Sequence, residues 1–132
     1  MRCVALALGV TVASCTAPLP QTEDITVWQP RGHWAGHGVL QTDPFISTTG
    51  LLRVTWQSRT LGRLGTLRIV LHSDVSGRSL VPVVEHTGSG SGVKYVSEDP
   101  RSFFFVIEAE GVDWQVEVAE GMAATRKAIA PR

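Results

Sequence analysis

Cysteine is almost missing from this chain: only Cys3 and Cys15 occur, both near the start, so no disulfide framework can staple the fold. Lysine is nearly as scarce, with two lysines against ten arginines, and the 12 basic residues are balanced by 12 acidic ones. No basic stripe emerges, which argues against nucleic acid as a partner. No apolar run approaches the ~18–20 residues that a membrane-spanning helix needs. Helical periodicity is absent before Met122. What remains, at 132 residues, is enough for one domain plus tails. Such a chain can bury over ~60% of the surface it exposes unfolded, without disulfide or metal.

The start of the chain has its own layout. Met1-Arg2 is basic, Cys3 to Ala13 carries no charge, and Val12-Ala13-Ser14-Cys15 places small residues directly before a cysteine. A basic start, an apolar stretch and a small-residue cleavage site describe a secretory signal. With a cysteine immediately after the cut, residues 1–15 resemble the signal of a bacterial lipoprotein, in which the cysteine thiol is alkylated by a diacylglycerol. The resemblance implies a signal peptide over 1–14 and a lipid anchor at Cys15. Two acyl chains hold where one binds only marginally, at ~0.8 kcal/mol per buried methylene. A plain secretory signal is the alternative, since Val12 stands where leucine is commonest, but it would leave Cys15 as a stray thiol in an oxidising compartment. The anchor predicts a cell-envelope location, and Thr16, which is not acidic, favours an outer membrane where one exists.

Residues 15–32 contain three prolines and no period, so they are expected to form the lipidated cysteine and a flexible linker with a reach of at most ~50 Å. From residue 33 to 119 short apolar runs alternate with turn residues. Leu52, Val54 and Trp56 share one side of an extended segment; Leu67, Ile69 and Leu71 do the same, as do Trp114, Val116 and Val118. That period of two predicts half-buried strands. About seven are expected, over 36–47, 51–58, 65–73, 79–86, 92–97, 101–109 and 113–119. Ser102 to Ala109 is apolar on both sides at its centre, as suits a middle strand, and Pro82 marks an edge strand or bulge. Residues 120–132 are expected as a C-terminal tail, a frayed helical turn or disorder. The leading fold class is an all-β antiparallel sandwich, with a small closed barrel as alternative.

Trp34 to Gly38 (WAGHG), Thr42 to Phe45 (TDPF) and Leu52 to Trp56 (LRVTW), followed by Phe103 to Ile107 and Trp114 to Val118, resemble the opening and closing strands of small exported bacterial β-sandwich domains. Those domains are largely of unassigned function. The likeness lies in core and turn positions and implies fold, not chemistry.

Residues that could carry chemistry do not converge. His33 and His37 would meet on a helix, but Gly32, Gly36 and Gly38 disfavour one, and on a strand the rings lie ~13 Å apart. No physiological metal is expected there. Gly88 to Gly92 (GSGSG) has glycine, not serine, at its centre and joins two strands, so it is expected to be a hairpin loop, neither a nucleophile elbow nor a phosphate loop. Glu108 with Glu110, and Glu98-Asp99 with Asp74, lack the spacing of a carboxylate pair in a cleft or of a calcium loop. No catalytic residue, metal or cofactor is expected. Trp56 and Trp114 are in phase with the core; Trp28 and Trp34 are the candidate ligand-binding residues, because exposed aromatics stack on sugars or partners. The expected function is therefore that of a membrane-anchored, non-enzymatic envelope lipoprotein with a protein-interaction or structural role. The alternative is a glycan-binding module using Trp28 and Trp34 near the cell wall.

Overall fold

The computed structural model describes residues 22–127; Cys15 and the signal lie outside the described residues. Contacts divide the chain into a main unit, Thr26–Ala124, and a second one that includes residues 22–25 and 125–127, where Arg126 pairs with Glu23. Nine strands are present among the described residues: β1 (Thr22–Gly36), β2 (Leu40–Gln41), β3 (Phe45–Ser47), β4 (Leu51–Thr60), β5 (Thr66–Ser73), β6 (Ser79–Thr87), β7 (Gly90–Ser97), β8 (Arg101–Glu110) and β9 (Val112–Lys127). They form a four-stranded sheet in the order β1-β9-β4-β7 and a five-stranded sheet in which β2 and β3 pair with β8, followed by β5 and β6. The fold is the expected all-β antiparallel sandwich.

Alternation explains the packing. Leu52 and Val54, Leu67, Ile69 and Leu71, Phe103, Phe105 and Ile107, and Trp114, Val116 and Val118 are all buried in one cluster between the sheets. Each such aliphatic or phenyl side chain contributes ~1.5–3 kcal/mol by leaving water. The Trp114 indole is also satisfied, since its Nε1 donates to the Gly38 carbonyl at 3.0 Å. Trp56 points the same way but is only half-buried, packed at the margin beside His86. β8 is a middle strand as its composition suggests, and β6 lies at the sheet edge, where its pairing with β5 shifts register next to Pro82.

Four sequence expectations change. Residues 22–32, read as linker, already belong to β1: Thr22, Ile25, Thr26, Val27 and Trp28 favour extended backbone, and Pro30 is tolerated because β1 is an edge strand. The segment from 120 is neither helix nor loose tail at its start, because β9 runs on to Lys127. The glycine-rich stretch after β6 is not a hairpin, because β6 and β7 belong to different sheets and the chain crosses between them there. The strand expected over 36–47 is split into β2 and β3, both paired to β8.

Candidate functional site

His72, His86 and three of the carboxylates singled out above have local partners of their own. His72 stacks on Phe104 with ring centroids 5.0 Å apart, and its Nδ1 lies 3.1 Å from the Gly77 carbonyl. His86 sits against Trp56 at 5.1 Å. Asp74 accepts from the Ser102 hydroxyl, Asp99 pairs with Arg101, and Glu108 pairs with Arg68. Among the described residues no three histidine, cysteine or carboxylate side chains come together as a metal would need.

The two candidate tryptophans face opposite ways. Trp34 turns inward and its ring meets Phe105 edge-on at 5.9 Å and Phe45 at 6.0 Å, so it closes the margin of the core. Trp28 lies on the outer face of the four-stranded sheet, 5.8 Å from Tyr95, with the Arg53 guanidinium 4.7 Å from its ring centroid. Residues 28 and 34 have equal parity, so strict alternation would put them on one side. β1 therefore departs from strict alternation between them, and a Cβ at Gly32 would overlap the Trp34 indole.

Strand register builds the rest of that outer face. Across β7, β4 and β9, Tyr95 pairs with Arg53 and Arg53 with Ala119; Val93 pairs with Thr55 and Thr55 with Glu117; Ser91 pairs with Gln57 and Gln57 with Gln115. These rows are ~7 Å apart along the strands. A cleft of about 400 Å³ lies over Thr55, Gln57, Gln115 and Glu117, with His33 on its wall. A second, of about 560 Å³, shares Gln57 and Gln115 and extends to His37, Arg59 and Asp113. Arg59 and Asp113 are paired at 3.1 Å. Gln57, Gln115, Thr55, His33 and His37 have no side-chain hydrogen-bond partner among the described residues, and Tyr95 is 61% exposed. The face therefore presents polar groups, the Glu117 carboxylate among them, with Trp56 and Val93 beside them and one open aromatic ring next to the cleft.

One polar site was not foreseen. Glu120 on β9 is wholly buried, yet it is ionised and fully engaged. Its Oε1 accepts from the Arg31 Nε at 2.9 Å, and Arg31 Nη2 lies 2.8 Å away. Its Oε2 accepts from the Ser47 hydroxyl at 2.7 Å and the Thr49 N–H at 2.7 Å, with the Thr48 and Thr49 hydroxyls at 3.2 and 3.0 Å. Burial pushes its pKa up, but the bonds from Ser47, the Thr49 backbone, Arg31 and the Thr49 hydroxyl outweigh that and hold it at about 2. A carboxylate so saturated cannot take a proton near neutral pH, so it acts as a clamp and not as a general base. It ties β1, β9 and the turn after β3 together. The signal was present in the sequence: continuing Trp114, Val116, Val118 by two residues places Glu120 on the buried side.

No known protein family matches the chain, and no curated protein sequence does. Among solved structures, one described as the structure of infectious bursal disease virus Gx strain aligns over 95% of this chain and 42% of that one, with 12% identity and a TM-score of 0.32.

Proposed function

We propose that the chain is a lipid-anchored, non-enzymatic binding module of the bacterial envelope, tethered at Cys15. The observation that carries binding, over a purely structural role, is the outer face of the four-stranded sheet. Gln57, Gln115, Thr55 and His33 line an open cleft there without partners among the described residues, beside the exposed Tyr95. A face that serves only solubility pairs or disperses its polar groups; this one leaves them converging. Catalysis gains no support, because the most perturbed carboxylate, Glu120, is locked by its donors.

The early start of β1 shortens the tether. Only residues 16–21 separate Cys15 from Thr22, so the chain can span at most about 25 Å between them, half the reach expected from a longer linker. Replacing Cys15 by Ser in the native cell should move the protein from the membrane fraction to the soluble one and abolish labelling by an acyl analogue. A C15S protein that stays membrane-bound and labelled would sink the anchor.

A further inference from the structure

The geometry points to an N-acetylated saccharide strand, of the kind that builds a cell wall, as the occupant of the outer face of the four-stranded sheet. This inference rests on the reading of the chain as a binding module and names what it binds. Two clefts sharing Gln57 and Gln115 make one continuous run, which suits a linear ligand better than a compact one. Both volumes fall within the range of small-ligand sites.

Chemistry selects among linear ligands. Gln57 and Gln115 sit side by side in register, and each carboxamide offers two N–H donors and a carbonyl acceptor. That set matches an acetamido group or neighbouring hydroxyls, which also donate and accept. At one end of the run Tyr95 offers an open ring for the C–H face of a pyranose, and Val93 beside it is 52% exposed. Trp28 packs beside that ring at a tilt, with Arg53 over the indole. Trp28 can lie flat there because residue 121 is glycine: a Cβ would come 3.0 Å from its Cζ3 and 2.7 Å from Leu51 Cδ2.

Charge argues against the other occupants. Arg59 and Asp113 neutralise each other, and the Arg53 guanidinium is placed against the Trp28 ring. Glu117 adds a single carboxylate to the cleft. A polyanion would find no cationic track. A protein partner would be expected to seat apolar anchors at the centre of its footprint; here the outward rows at the centre are Gln57, Thr55 and Gln115, although Trp56, Val93 and Val116 also line the cleft.

The test uses the full-length lipidated chain in detergent and three probes. These are whole envelope fragments, the same fragments stripped of protein and lipid to bare glycan strands, and soluble β-linked N-acetylglucosamine oligomers. Bare strands should retain the protein, and the oligomers should compete and perturb tryptophan fluorescence. Q57A and Y95A should each weaken the interaction roughly tenfold, the scale of one lost stacking or hydrogen-bonding contact, without moving the unfolding midpoint. R68A, on the opposite sheet, should bind as the native chain does. Retention by whole fragments but not by bare glycan overturns the saccharide and leaves the binding module standing. Retention by neither overturns both. Glycan binding that survives Q57A and Y95A overturns the site.

Discussion

On the outer side of the five-stranded sheet, Arg68 stands in register between Glu85 and Glu108, reaching them at 4.0 and 3.0 Å. Beside that row Val70 and Phe104 also point outward, yet neighbouring side chains leave them 6% and 9% exposed. Clefts lie over both faces, about 780 Å³ beside Arg68, Glu85 and Glu108 and about 400 Å³ over the four-stranded sheet, where the equivalent rows hold Gln57 with Gln115 and Thr55 with Glu117. Both faces obey the same alternation. In the Arg68 row the cross-strand neighbours are charge partners, whereas Gln57 and Gln115 have no side-chain partner among the described residues, so exposure and cleft volume alone do not distinguish the two faces. What differs is whether the cross-strand neighbour is a partner.

The largest way to disturb that contrast is through the clamp. E120A should cost about 3–5 kcal/mol, because it leaves the Arg31 charge and the Ser47 and Thr49 donors without their acceptor. Hydrogen exchange should then quicken in β1 before β5 and β8, damaging the four-stranded face selectively; uniform protection across both sheets would show that Glu120 does not hold β1.

The same clamp makes stability depend on acid. Its folded pKa, about 2, lies below the ordinary 4.5. Its contribution is therefore complete above about pH 4.5 and is lost as pH falls from there toward 2, a change on the order of 2–3 kcal/mol. Unfolding midpoints measured across that window should drop in the native chain more than in E120Q.

Gly50 offers the next step down. It has φ +76° and a Cβ there would run into the Glu98 carbonyl, so G50A should destabilise by at least ~2 kcal/mol, read from denaturant midpoints. W28A should cost about 1–2 kcal/mol, a half-buried indole losing Arg53 and the surface over Gly121. It should also weaken glycan binding by freeing Tyr95. R68A should change stability by under ~1 kcal/mol, since its pairs are exposed. A larger loss would mean that the five-stranded face depends on its charges more than exposed pairs allow.

Much of the sandwich was legible because burial follows a period of two. The residues expected in the core are in it, with Trp56 half-exposed only because it lies at the margin. β1 was hidden by Pro18, Pro20 and Pro30: prolines signal a linker, whereas an edge strand tolerates one. The likeness of Trp28 and Trp34 was misleading in another way, since β1 departs from strict alternation between them and turns one outward and one inward. Glu120 escaped notice because a carboxylate in a buried register reads as the end of a strand until its donors are known. Those donors come from β1 and from the turn after β3, remote in sequence.

By itself the sequence determined the all-β class, the inward sides of β4, β5, β8 and β9, and the edge position of β6. The first two depend on a side-chain period set within each strand, and the third on Pro82, which cannot donate to a ladder. Only the tertiary structure decided which outward rows meet: Gln57 beside Gln115, Arg68 between two glutamates, Glu120 beneath Arg31. Register joins strands that are distant in the chain, and no local pattern records it. Where the unpartnered groups of this protein gather is therefore a property of the pairing, because pairing decides which polar side chains satisfy each other and which are left facing water.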